Sequence, residues 1–166
     1  MIFRRMLVLV CVLTLAAAAV ARAEVRGPIK VSPSGRYFVD RSGAPFFWLG
    51  DTAWPLFAQY SRSQAEAYLK NRGAKGFTVI QGVLAWGLGS GFENKVPLAN
   101  AAGDKPWLND NPATPNDAYF KHVDYLVDFA NKQGLILAML PTWGFYVNEV
   151  KVVNVQNARL YGRWLG

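Results

Sequence analysis

The chain has 166 residues, of which 52% are hydrophobic, 14% aromatic and 17% charged, and its formal net charge is +7. That composition excludes a disordered tail or linker and suits one folded domain of ordinary size. Lys and Arg are scattered singly rather than in blocks, which argues against a nucleic-acid partner.

Arg4 and Arg5 give a basic start, residues 6–20 form an apolar run containing Cys11, and Ala21-Arg22-Ala23 is a small-residue cleavage signature. The pattern predicts a secretory signal peptide over residues 1–23. The apolar run is short of the ~20 residues a membrane-spanning helix needs, so an uncleaved anchor is the lesser reading and no membrane association is expected after cleavage. Cleavage would leave 143 residues and remove Arg4, Arg5, Arg22 and the single cysteine, so that 15 basic residues face 11 acidic ones and the net charge falls to +4. An exported chain without cysteine has neither disulfides nor thiolate chemistry, and its stability must come from a packed core.

Residues 29–31 and 36–39 alternate in polarity around Ser32-Pro33-Ser34-Gly35, which predicts a β-hairpin within an N-terminal segment 24–45. Asp40-Arg41-Ser42-Gly43 reads as a second turn, and Phe46-Phe47-Trp48-Leu49 as a strand buried on both faces. Ser63 and Glu66 have capping-box spacing, so a helix is expected to start there, with Ala65, Tyr68 and Leu69 on its apolar stripe and Gly73 or Gly76 ending it. Residues 77–84 predict a second strand, rich in β-branched side chains.

Residues 85–115 carry many glycines and prolines and no clear period, and loops of that length are usually functional. Asn116 is placed to cap a helix with Phe120, Val123, Leu126, Val127 and Ala130 on one face, ending at Gly134. Residues 135–140 predict a third buried strand, closed by Pro141-Thr142-Trp143, and a last helix is expected over residues 155–165. Alternating strands and helices imply an α/β fold with a parallel sheet. About three βα units after a hairpin are too few for a closed barrel, which takes roughly 250 residues, so residues 46–166 read as the N-terminal portion of a (β/α)8 TIM barrel, a truncated catalytic domain.

In parallel α/β folds, functional groups collect at the carboxyl ends of strands. Those positions hold Asp51, Trp54, Gln81, Trp86 and Trp143, the candidate substrate-binding residues. The tryptophans offer flat apolar faces with an indole donor, suited to stacking on a sugar ring, and ordinary core packing is the competing reading for each. Asp51 follows an apolar run and must be hydrogen-bonded or face a cleft, a turn or cap being the alternative. Gln81 would orient a hydroxyl, or be a satisfied buried amide.

The carboxylates Glu93, Asp104, Asp110 and Glu149 lie in loops with no spacing that fixes a catalytic pair, and His122, the sole histidine, reads as a surface or helix-flank residue. No zinc site or cofactor is expected. Gly87-Leu88-Gly89-Ser90-Gly91-Phe92 begins like a dinucleotide fingerprint but has Phe92 at its sixth position and no helix directly behind it.

Five segments in order resemble a known family: Pro45 to Trp54, the Tyr68-Leu69 helix, Gly76 to Gln81, Pro115 to Phe120 with Val123-Asp124, and Pro141-Thr142-Trp143-Gly144. They are similar to the apiosidase-like glycoside hydrolases, family 140, over about residues 29–166. The resemblance implies a secreted or periplasmic bacterial TIM-barrel enzyme that hydrolyses glycosidic bonds in plant cell-wall polysaccharide, the studied activity being on apiose linkages in pectin. Asp51, Trp54, Gln81 and Trp143 would then line the substrate cleft. In that family the general acid lies in a Gly-Gly-Asp segment ending the fourth strand and the second carboxylate, a Glu, comes later. Neither has a counterpart here, so the resemblance implies an N-terminal fragment, inactive alone. The alternative is a non-catalytic secreted carbohydrate-binding or structural module.

Overall fold

The computed structural model describes residues 27–87 and 96–166. The expected signal peptide, Glu93 and most of the glycine-rich stretch after Trp86 lie outside those residues.

Two three-stranded sheets follow one another along the chain. The first is antiparallel and small: β1 (Lys30–Val31) pairs with β2 (Phe38–Val39), as the hairpin pattern predicts, and β2 pairs with β3 (Pro45–Phe46). The second turn is built by Asp40, whose Oδ1 accepts from Ser42 N at 2.8 Å, Ser42 Oγ at 2.6 Å and Ala44 N at 3.0 Å, with Gly43 at φ +86°.

The apolar run 46–49 is not a strand buried on both faces. Phe46 ends β3, and Phe47, Trp48 and Leu49 bridge to the second sheet with 74%, 49% and 39% of their surfaces exposed. Thr78 holds this bridge: its Oγ1 donates to Phe47 O at 2.6 Å and accepts from Leu49 N at 2.9 Å, while its own N donates to Leu49 O at 2.9 Å. Trp48 spends its ring on Phe38, 5.9 Å away between centroids, rather than on the core.

The second sheet is parallel, with β4 (Gly50–Thr52), β5 (Val79–Ala85) and β6 (Ile136–Thr142) in chain order. Asp51 is registered on Ile80 and Ile80 on Leu137; Thr52 is registered on Gln81 and Gln81 on Ala138. β5 is buried almost throughout, whereas β6, expected to be buried, is half-open, with Met139 42% exposed. The reason is position: among the described residues β6 pairs only with β5, so it is an edge, which also accommodates Pro141 and its missing N–H. Among the described residues the sheet is open and does not close into a barrel.

Helix α1 (Arg62–Ala74) starts two residues before the expected site. Ser61, not Ser63, is its N-cap: Ser61 Oγ accepts from Gln64 N at 3.3 Å and Gln64 Oε1 accepts from Ser61 N at 2.9 Å. This register buries Ala65 and Leu69 completely. Gly76, at φ +85°, lies just past the helix end, and Gly73 is buried inside the helix. Helix α2 (Asp117–Lys132) is capped by Asn116 Oδ1, which accepts from Ala118 N at 3.1 Å. A short α3 (Phe145–Asn148), not evident in the sequence, precedes α4 (Ala158–Leu165), which begins three residues later than expected; Val155 is 87% exposed.

The core lies between one face of the parallel sheet and the helices. Ile80 and Leu84 meet Leu69 of α1, Tyr119, Val123 and Leu126 of α2, and Tyr161 of α4. The long β5–α2 connection joins it through Trp107, 1% exposed and edge-on to Tyr161 at 5.4 Å. No described helix is long and apolar enough to cross a membrane.

Candidate functional site

The β4–β5 ladder runs past the end of β4, because Ala53 N donates to Gln81 O at 2.8 Å and Val83 N donates to Trp54 O at 3.1 Å. These bonds fix Trp54 above the sheet. Gly82 lets the connecting segment cross closely: a Cβ there would stand 3.1 Å from the Phe57 ring and 3.2 Å from Ala53 O. Trp86 follows β5 directly, and its carbonyl accepts from Leu98 N at 2.8 Å, tying the long loop to the strand end. Trp143 follows β6, and its carbonyl accepts from Tyr146 N at 3.0 Å as the chain turns into α3.

The three strand-end tryptophans converge. Trp143 stands between the other two, 5.5 Å from Trp54 and 5.4 Å from Trp86 between centroids, with interplanar angles of 64° and 72°. Such edge-to-face pairs are worth about 0.5–1.5 kcal/mol each beyond their burial. Val83, Ala58, Leu98 and Leu140 pack beneath and beside them. Trp86 is buried, and its Nε1 has no hydrogen-bond partner among the described residues. An indole donor left without an acceptor in a protein interior is costly unless a ligand or water supplies one.

Tyr146 of α3 locks this arrangement from behind. It is wholly buried, and burial pushes its hydroxyl pKa up to about 12. A Cβ on Gly87 would fall on that hydroxyl, so glycine is required next to Trp86.

Side chains along a strand alternate between faces, and register partners in a parallel sheet share one. Gln81 therefore lies on the face of Val83, which packs with the tryptophans. Asp51 lies on the opposite face with Ile80, directed at α1. Its Oδ1 accepts from Thr52 N at 2.8 Å; its Oδ2 accepts from Tyr68 Oη at 2.9 Å and forms an ion pair with Arg72 Nε. Burial works against the charge, but the Thr52 amide, the Tyr68 hydroxyl and the Arg72 guanidinium together hold the carboxyl below its ordinary value. Burial and the bond to Asp51 raise Tyr68 to about 12. Both oxygens of Asp51 are thus engaged by its own strand and by α1, the hydrogen-bonded alternative to facing a cleft.

Of the other candidates, Asp110 pairs with Lys105 at 2.9 Å. His122, expected at the surface or on a helix flank, is 8% exposed, because the loop around Asn100 and the start of α1 cover that side of α2. Among the described residues no group of three or more His, Cys, Asp or Glu could hold a metal ion.

The apiosidase-like catalytic domain model matches residues 32–166. The chain belongs to this family. A solved structure described as a glycoside hydrolase is 34% identical, with a TM-score of 0.70, covering 84% of this chain and 31% of that one. A second, described as a glycoside hydrolase family 5 protein from Bacteroides vulgatus, is 28% identical with a TM-score of 0.71, covering 84% of this chain and 29% of that one. A third, a glycoside hydrolase structure from the same organism at 21% identity and a TM-score of 0.55, supports the fold alone and covers 80% of this chain and 28% of that one. The chain thus spans about a third or less of the solved proteins it matches. No curated protein matches it.

Proposed function

We propose that this chain forms the first three βα units of a TIM-barrel glycoside hydrolase, secreted or periplasmic in a bacterium, that acts on plant cell-wall polysaccharide of the pectic, apiose-bearing kind. The family membership supports hydrolysis of a glycosidic bond. The observation that carries the local reading is the convergence of Trp54, Trp86 and Trp143 at the carboxyl ends of three parallel strands, where such folds place their chemistry.

In this reading the tryptophan edges and faces fix the orientation of a sugar ring, the Trp86 indole donates to a ring hydroxyl, and Gln81 orients a second hydroxyl from below. These contacts supply binding energy that grows as the ring flattens toward an oxocarbenium-like transition state. Asp51 acts through α1, holding the β4 end in place rather than touching the sugar. The acid and its partner carboxylate come from residues following Gly166, which agrees with the greater length of the matched structures.

The test is to read the coding sequence past the Gly166 codon, express the whole frame and assay release of reducing sugar from apiose-bearing pectin. The reading expects cleavage by the whole frame and none by residues 24–166 alone. A whole frame that binds glycan without cleaving it would instead favour a carbohydrate-binding module, and one that does neither would remove the glycan reading.

A further inference from the structure

A cavity of about 290 Å3 lies where the N-terminal end of α1, the 100–104 turn and the first turns of α2 meet, lined by Ser61, Arg62, Asn100, Asp104, Ala118 and His122. None of these residues belongs to the tryptophan cluster. Two of them are at least nine-tenths buried and carry a polar atom without a hydrogen-bond partner among the described residues: Asn100 Nδ2 and His122 Nε2.

The orientation of Asn100 is fixed by its own turn. Its Oδ1 accepts from Ala102 N and Asp104 N, both at 3.0 Å, and its backbone N donates to Asp104 O at 2.7 Å, which leaves only the Nδ2 donor for the cavity. Buried donors of this kind are ordinarily satisfied. Burial, and then the charge of Arg62, lower the pKa of His122 against the opposing pull of Asp104, so at neutral pH its ring is uncharged and Nε2 offers either one N–H or one lone pair.

The charges around the cavity compensate. Arg62 is cationic and held over the Tyr125 ring at 4.3 Å; Asp104 is anionic; neither forms an ion pair among the described residues. A net anion would meet Asp104 and a net cation would meet Arg62. The partners that satisfy a lone amide donor, a neutral imidazole, a guanidinium and a carboxylate together are groups that both donate and accept, namely adjacent hydroxyls. The volume suits one small ring rather than a chain.

We propose that this cavity is a second binding site, taking one neutral sugar residue through vicinal hydroxyls bonded to Asn100 Nδ2 and His122 Nε2. Because Leu98, two residues before Asn100, packs against the tryptophan cluster, occupancy would also fix the loop bordering that cluster. The inference stands on the cavity and is independent of where catalysis takes place.

His122 is the only histidine, so its imidazole signals report on this cavity alone. The 15N-labelled full chain would be titrated with D-xylose and D-galactose, with inorganic phosphate and D-galacturonate as charged probes. A neutral sugar should shift the His122 signals saturably in the millimolar range, show nuclear Overhauser contacts to His122 Hε1, and leave the Trp54 and Trp143 indole signals in place. Asn100→Asp keeps the turn acceptor, removes the donor, and should weaken that binding at least about tenfold. No saturable shift with either sugar would mean a merely hydrated cavity and would overturn the proposal. So would saturation by the charged probes only, saturation without contacts to His122 Hε1, or a folded Asn100→Asp chain that binds as tightly as the parent.

Discussion

The two faces of the parallel sheet differ by one residue of register and by everything else. On the face of Asp51 and Ile80, a carboxylate, a tyrosine hydroxyl and a guanidinium engage one another between β4 and α1. On the face of Gln81 and Val83, three tryptophans meet at the strand ends, and the Trp86 indole N–H has no partner among the described residues. Groups already matched hold the fold together, and unmatched ones in a shaped aromatic setting are available to a ligand.

Four substitutions would break or sharpen this contrast. The largest effect is expected from Gly87→Ala, which drives a methyl into the buried Tyr146 hydroxyl and should cost about 3 kcal/mol of stability in denaturant unfolding while abolishing glycan binding. Trp143→Ala removes both edge contacts at once and should cost about 2 kcal/mol, with at least a tenfold loss of glycan affinity by calorimetry. Ser61→Ala deletes the cap that starts α1 and should cost about 1 kcal/mol by thermal unfolding, with the tryptophan cluster unchanged.

Asp51→Asn is expected to have the smallest effect at neutral pH, and its signature is in the acid range. Asp51 titrates below its ordinary value of 3.8 in the folded chain, so its stabilising contribution is present above that value and is lost as pH falls through the lowered one. An acid unfolding scan should show a loss of stability below about pH 4 in the parent that the variant lacks, and glycan affinity should stay within about twofold. A tenfold loss of affinity would return Asp51 to the binding face.

The tryptophan cluster was legible because its members could be placed by a rule about strand ends, which tolerates errors of a residue or two. The partners of Asp51 were not, because they depend on parity. With the strand expected over 46–49, Asp51 lies beyond the strand end, where a side chain is free to face a cleft; with β4 at Gly50–Thr52, alternation assigns it to the helix side. The apolar run misled because junction residues between two sheets can be as hydrophobic as a buried strand, and only pairing partners tell them apart.

The start of α1 was ambiguous for a similar reason. Ser61-Arg62-Ser63-Gln64-Ala65-Glu66 contains two overlapping capping boxes, and the chain uses the first. His122 carried no sequence signal of burial, since the loop that covers it is distant in the chain.

The most direct test of the central claim is a titration of the protein with an apiose-bearing pectic oligosaccharide, following the six indole N–H signals by nuclear magnetic resonance. The account predicts saturable shifts at Trp54, Trp86 and Trp143, with Trp48, Trp107 and Trp164 unmoved. Shifts confined to the second group, or no saturable shift at all, would contradict it.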